Sequence, residues 1–368
     1  MRSVSLFSGC GGLDLGLQQA GFEPVLGLDN EPVCAESHAA NFPGVPFFCG
    51  SVANVSAARM AELAGGDLPR GIDLLAGGPP CPPYSKSRFY RKDKPRALDD
   101  PIGEVTMDGY LRVLHLLQPR AFLLENVPGL AYDVHRDALD WILGVAEAEG
   151  YTCTYRVVNA ADYGVPQIRE RFILVGLRDG IFAFPEPTHR NPKKVDLFGA
   201  DLPPWRTAGD VLMDLDTEEM ADDEGHFAGG QYHDLLRKVP PGENYLHFTT
   251  ERSHPDPVFK WRSRYWSFLL KLSPTMPSWT IQARRSNNMG PFHWRSRILR
   301  IAEIKRLQTF PDDWVLAGNI ERQWRQIGNA VPPLLARHFG VALAAHLEKS
   351  SASRGREVPV AHAEAAAR

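Results

Sequence analysis

The sequence predicts a doubly wound α/β protein, built on a parallel sheet with helices on both faces and joined to a second, smaller domain. Three observations carry this reading. From residue 1 to about 184, short apolar runs alternate with amphipathic stretches, the rhythm of a sheet crossed by helices. A glycine-rich turn, Gly9-Cys10-Gly11-Gly12, separates the first apolar run from the first amphipathic stretch. Near Phe184 the pattern stops, and Pro185, Pro187, Pro192, Pro203 and Pro204 punctuate a polar stretch, as at a boundary.

Taken in order, residues 4–7, 25–28, 45–48, 72–76, 121–124, 154–158 and 172–175 are short and apolar enough for buried strands. Residues 13–20, 33–41, 57–63, 108–117 and 136–149 carry apolar positions at helical spacing. Gly21 and Gly150 stand where a left-handed residue ends a helix. From 187 to about 291 no period is sustained. The acidic cluster at 214–224 reads as a solvated face. Phe259-Lys260-Trp261-Arg262-Ser263-Arg264-Tyr265-Trp266 interleaves aromatic and basic residues. Trp261 and Trp266 are expected in the core of the small domain, because large aromatics usually pack. Helical pattern returns at 301–307 and 333–347, and 350–368 reads as a frayed tail.

Composition narrows the classes. Of 368 residues, 43% are hydrophobic and 23% charged, as in an ordinary globular protein. No apolar run reaches membrane-spanning length, and the first residues lack a signal peptide's apolar core, so a cytoplasmic protein without a membrane partner is expected. The five cysteines, Cys10, Cys34, Cys49, Cys81 and Cys153, are odd in number, widely spaced and form no C-x-x-C. That favours neither a disulfide framework nor a metal site. A net charge of −3 rules out a polycation that binds nucleic acid by bulk charge, but not one with a local basic cleft.

One segment concentrates the chemistry. Gly77-Gly78-Pro79-Pro80-Cys81-Pro82-Pro83-Tyr84-Ser85 follows the run at 72–76. It puts a thiol in a proline-stiffened loop at the carboxyl end of a strand, the edge where open α/β sheets bind ligands. At the other end of the domain, the glycine turn suits close approach of a ligand to a helix N-terminus. Asp14 takes the place of the third glycine of the dinucleotide fingerprint, which argues against a nicotinamide or flavin. Asp29 closes the second strand, where a carboxylate can accept both hydroxyls of a ribose. The order strand, glycine turn, helix, strand, acid points to a nucleotide-type cofactor.

These residues resemble the DNA (cytosine-5)-methyltransferases. Phe7-x-Gly9-x-Gly11 is similar to that family's cofactor loop and Gly78-Pro79-Pro80-Cys81 to its catalytic loop. Glu125-Asn126-Val127 and Gln167-Ile168-Arg169-Glu170-Arg171 match E-N-V and Q-x-R-x-R. Arg306-Leu307-Gln308-Thr309-Phe310-Pro311 and the closing Gly328-Asn329-Ala330-Val331-Pro332-Pro333 complete six blocks in family order. Pro82 stands where the family often has Gln, and Ser51 where an acid usually meets the adenine amine.

The resemblance implies a Rossmann-like methyltransferase fold, with a mostly parallel sheet containing one antiparallel strand and a C-terminal helix returning beside the first strand. It implies a catalytic domain over 1–186 completed by 326–349, a target-recognition domain and return segment over 187–325, and S-adenosylmethionine as methyl donor. Phe7, Gly9, Gly11, Gly12, Asp29, Asn30, Ser51, Val52, Pro79, Asn329, Ala330 and Val331 would hold the donor. Pro80, Ser85, Asn126, Val127 and Gln167 would shape the cytosine pocket. Cys81 would add to the pyrimidine, Glu125 would share a proton with N3, and Arg169 and Arg171 would bring charge to the ring. A base inside a duplex is out of reach, so it would be flipped out. The basic run 86–96, with Lys86, Arg88, Arg91, Lys92 and Lys94, would close over phosphates. Some among Arg284, Arg285, Arg295, Arg297 and Arg300 would read guanine edges or grip phosphates.

The implied partner is double-stranded DNA, the implied form a monomer, and any cognate restriction endonuclease would act separately. Two rivals share parts of this pattern. A zinc deaminase needs a second cysteine where Tyr84 stands and an upstream H-x-E, which the chain lacks. A tRNA cytosine-5 methyltransferase would use the same scaffold and chemistry, but the long segment 187–291 is of a size suited to DNA recognition.

Overall fold

The computed structural model describes residues 1–66, 71–80, 84, 97–193, 201–216 and 226–354. Five strands alternate with helices: β1 (Arg2–Leu6), α1 (Gly12–Gln19), β2 (Glu23–Asp29), α2 (Pro32–Asn41), β3 (Phe47–Cys49), α3 (Ala57–Leu63), β4 (Leu74–Gly77), α4 (Pro101–Leu117) and β5 (Ala121–Asn126). Then come α5 (Arg136–Ala148), β6 (Thr152–Asn159), the short β7 (Gln167–Ile168) and β8 (Glu170–Leu177). The sheet runs β3-β2-β1-β4-β5-β8-β6. β1 to β5 are parallel, while β8 lies antiparallel to both neighbours. The chain reverses its winding between β1 and β4, the switch point at which such sheets bind ligands.

Strand alternation sorts the apolar side chains into two cores. Leu75, Phe122, Leu124 and Leu174 pack under α4 and α5. Their neighbours Leu74, Leu123, Ile173 and Val175 pack on the other face with Leu13 and Leu17 of α1. The period of two is what lets one sheet feed both layers. α4 begins at Pro101, earlier than the apolar pattern indicates, because Asp100 accepts the Ile102 N–H at 3.0 Å and Pro101 takes the first helical position.

Beyond β8 the chain is mostly loops with short elements: α6 (Gly209–Leu212), α7 (His233–Lys238) and β9 (Ser278–Trp279). β9 pairs with β7. A third core gathers Leu212, Leu236, Tyr245, Phe248, Leu269 and Phe292. The chain returns through α8 (Ile301–Leu307), α9 (Ile320–Asn329) and α10 (Pro333–Arg354). α10 packs on α1, the helix after the first strand. Gly16 permits this: a Cβ there would meet the Pro333 carbonyl and the Ala336 methyl.

The expected packing of Trp261 and Trp266 does not occur, as they are 39% and 49% exposed. Their neighbour Phe259 joins the third core instead.

Candidate active site

A cavity of about 590 Å³ opens at the carboxyl ends of the parallel strands. Phe7 and Gly9 enter it from β1, Asp29 and Asn30 from β2, and Pro79 and Pro80 from β4. Glu125 and Val127 follow β5, Arg169 and Arg171 flank the start of β8, and Asn329, Ala330 and Val331 arrive after α9. Blocks separated by some 300 residues in sequence thus meet on one wall because α10 folds back over α1 and the turn before it meets Gly12.

The glycines divide their tasks. Gly9 has φ +55°, and a Cβ built there meets nothing within 4 Å. Its backbone therefore faces open space, and its N–H is held by Asp29 Oδ2 at 2.9 Å. Gly11 and Gly12 instead make room for protein. A Cβ at Gly11 would lie 2.5 Å from Phe42, and one at Gly12 would meet the Val331 carbonyl and Phe310. The turn is locked further by Trp314, whose Nε1 donates to the Cys10 carbonyl at 3.1 Å. Phe7 has φ 56°, a left-handed conformation that costs a residue with a Cβ about 1–2 kcal/mol.

Asp29 is largely buried, and burial raises its pKa above the usual carboxylate value against the pull of the Glu31 and Gly9 N–H groups. Each carboxylate oxygen accepts one backbone N–H and keeps lone-pair capacity for a hydroxyl. An open cradle over Gly9 beside an acid of this kind fits an adenosine with its ribose toward Asp29.

On the opposite wall, Arg171 Nε lies 2.7 Å from Glu125 Oε1, with both side chains nearly buried. Such a charge-assisted bond fixes the carboxylate's direction. The other oxygen runs beside Gly78, where a Cβ would come within 2.8 Å of Oε2. Arg169 is spent differently. Its guanidinium donates to the carbonyls of Ile281, Gly328 and Ala330 at 3.0–3.3 Å. The two arginines expected to act alike on the ring are therefore a carboxylate partner and a clasp for the 328–331 turn.

Other expected site residues lie behind the wall. Asn126 is buried, donates to the Pro79 carbonyl at 3.2 Å and accepts the Val127 N–H, so it ties the end of β5 to the proline loop. Gln167 is fully buried, its amide bonds Leu307, Gln308 and Ile281, and it does not border the cavity. Ser51 accepts the Ala53 N–H, and Val52 packs against Gly109 of α4; neither borders the cavity. Cys81, Ser85 and the basic run 86–96 lie outside the described residues. Pro80, covalently joined to Cys81, lines the cavity. Beyond the thiol, Tyr84 is fully buried against His135, ring centroids 5.6 Å apart.

Of the other cysteines, burial pushes the Cys10 and Cys153 thiols up to about 12 and raises Cys34 further, so none of these three is a thiolate at neutral pH. Among the described residues no cluster of His, Cys, Asp or Glu could hold a metal, and no helix is long and apolar enough to cross a membrane.

Glu31, Arg322 and Arg325 also line the cavity and were not expected from the sequence. Arg322 and Arg325 sit three apart on α9, one helical face. Asn319 caps that helix by accepting the Arg322 N–H at 3.1 Å. That cap and the Ile320, Trp324, Ile327 spacing were the available signals.

Comparisons with known proteins agree on the family. The family model for C-5 cytosine-specific DNA methylase matches residues 1–345. The Type II methyltransferase M.SacI of Streptomyces achromogenes is 39% identical over 97% of this chain and 95% of its own. M.XorII of Xanthomonas oryzae pv. oryzae, another Type II methyltransferase, is 31% identical over 94% and 85%. Among solved structures, a putative DNA modification methyltransferase encoded within an E. coli prophage superposes with TM-score 0.69 at 22% identity, covering 95% of this chain and 99% of that one. Spodoptera frugiperda DNMT2 gives TM-score 0.63 at 16% identity over 93% and 99%. At those identities the two structures speak for the fold alone.

Proposed function

The chain belongs to the C-5 cytosine-specific DNA methylases, and from that premise we propose that it methylates a cytosine flipped out of one specific word in duplex DNA, with Cys81 as nucleophile and Glu125 as its partner on the base. The observation that carries the reading is the cavity itself. It sets the open Gly9–Asp29 cradle on one side and the Glu125–Arg171 pair on the other, with Pro80 between them in the wall.

Cytosine C5 is a poor nucleophile. Bond formation between the Cys81 sulfur and C6 pushes the C5–C6 electron pair toward C5 and, through the ring, toward N3. Glu125 shares a proton with N3 as charge builds there. Arg171 keeps that carboxylate aimed, and Asn126, through Pro79, holds the proline loop against the end of β5. Gly9, Asp29, Asn30 and the 329–331 turn would hold S-adenosylmethionine, which when bound supplies an electrophilic methyl group. Once C5 carries the methyl, H5 leaves to solvent, its electron pair re-forms the C5–C6 double bond, and the C6–S pair departs with sulfur as the Cys81 thiolate.

Residues 1–186 with 326–349 form the catalytic domain in this reading, and 187–325 the part that recognises the target, built on the third core. The cations of the 86–96 run neutralise DNA phosphates in this reading, and Pro80 and Val127 border the base. The enzyme works as a monomer in the cytoplasm, alongside a separate nuclease of the same specificity, as the Type II names of its relatives suggest.

The test uses duplex DNA carrying 5-fluorocytosine together with bisulfite sequencing of DNA from expressing cells. A fluorine at C5 cannot leave as a proton, so the intact protein becomes covalently trapped when donor is present, and Cys81→Ala does not. One methylated word in the cellular DNA is the second expected result. No trapping and no 5-methylcytosine above the Cys81→Ala background overturns the reading. Transfer to tRNA alone would turn it to the RNA rival.

A further inference from the structure

Of the five arginines considered for DNA contact in the sequence, Arg297 grips Glu303 through two bonds and Arg300 is buried at the start of α8. Arg284 and Arg295 are exposed, and Arg295 is paired with Asp216 at 2.5 Å. A run of exposed cations lies elsewhere. Every residue from 260 to 266 is exposed, and the run carries Lys260, Arg262 and Arg264 with no acid between Pro257 and Trp266. Tyr265 is 71% exposed, beside the exposed Trp261 and Trp266. Water-facing aromatics in a cationic run are what a surface shows when its partner has π-faces and negative charge.

The loop is built, not slack. At its base Phe259 packs on Tyr232, Tyr245 and Phe268, with centroids 5.6–5.7 Å apart. Tyr245 donates to the Arg264 carbonyl at 2.9 Å, and Asn244 donates to that of Trp266 at 2.8 Å. Arg262 is held at φ 54°, so the tip is fixed in a conformation that costs energy. It is also joined to the active site. Trp266 meets Trp279 edge-on at 5.6 Å, Trp279 pairs with Ile168, and the next residue is Arg169 on the cavity wall.

We propose that the 260–266 loop is the surface with which this enzyme grips and reads its duplex DNA. Lys260, Arg262 and Arg264 meet phosphates and guanine edges, and Trp261 and Tyr265 stack on bases next to the flipped cytosine. This rests on the DNA methylation reading above. An anchored tip loses little entropy on binding, and its link to Arg169 sets the distance between the bases it reads and the one that reacts.

The test is steady-state methylation of plasmid DNA by the full chain and by two variants, Lys260→Ala/Arg262→Ala/Arg264→Ala and Tyr265→Ala, with bisulfite sequencing of the products. The triple variant is expected to raise KM for DNA about tenfold or more. It should also flatten the dependence of log KM on log salt by about one unit per cation lost, which a merely structural role would not do. Tyr265→Ala is expected to broaden the methylated word. Its side chain is exposed, so it serves as the second test should the triple variant melt at lower temperature. If both variants keep the wild-type KM, salt slope and word, the inference is overturned. A wild-type protein that transfers no methyl to DNA overturns the underlying reading instead.

Discussion

Arg171 and Glu125 are joined at 2.7 Å across the seam where β8 runs antiparallel to β5. The parallel half of the sheet supplies the carboxylate and the reversed strand supplies its orienting cation. Glu125→Gln keeps the shape and removes the shared proton, and kcat is expected to fall roughly 10²–10⁴-fold. Arg171→Ala should cost much less in the Glu125→Gln background than in the wild type, with a coupling of about 1–3 kcal/mol in kcat/KM. Independent effects of the two changes would show that Arg171 acts elsewhere.

Gly9 and Gly12 are predicted to fail in opposite ways. Gly12→Ala drives a methyl into the Val331 carbonyl and Phe310, an overpacking that costs about 1–3 kcal/mol and should lower the melting temperature. Gly9→Ala meets no protein atom but places its methyl in the open cradle at φ +55°. It should weaken S-adenosylmethionine binding, read by titration calorimetry, by more than it lowers the melt. The reverse order would mean that the donor does not lie over Gly9.

His293 gives stability a pH dependence. It is fully buried, and burial pushes its pKa down to about 4, although Glu303 and Asp216 lie 3.6 and 3.8 Å away and Arg297 and Arg295 oppose them. Its Nδ1 accepts the Arg295 N–H at 3.1 Å, so the neutral ring carries its proton on Nε2. The unfolded chain takes up a proton near pH 6.5 and the folded one only near 4, so this contribution is complete above about 6.5 and is lost as pH falls toward 4. Between those values the slope is up to about 1.4 kcal/mol per pH unit. Urea unfolding at a series of pH values should show a smaller slope for His293→Gln than for wild type. Equal slopes would remove His293 as the cause. Glu303 adds the same sign lower down: burial raises its pKa, but the two Arg297 bonds outweigh that and hold it below the ordinary value.

The sheet and its helices were legible because strands buried on both faces write themselves as short apolar runs, and because Gly, Pro and Asp mark the turns between them. The part between β8 and α8 was not, since its core is built from loops and aromatics without a period. Trp261 and Trp266 were misplaced for a related reason: hydrophobicity says what prefers burial, not what a partner will cover. Gln167 and Arg169 sit in a recognisable block, yet only the fold shows that they hold the return segment together. Asp100-Pro101 announced the start of α4, and the apolar pattern, which starts later, hid it.

The bond from Trp314 to Cys10 spans 304 residues. A nascent chain leaves the ribosome with its glycine turn finished in sequence but with nothing to rest on until Phe310, Trp314 and Val331 have emerged. At bacterial-scale translation of about 5–20 residues per second, that delay is roughly 15–60 seconds. A protein cut short between Cys81 and Phe310 carries that thiol but lacks the backing of its first turn.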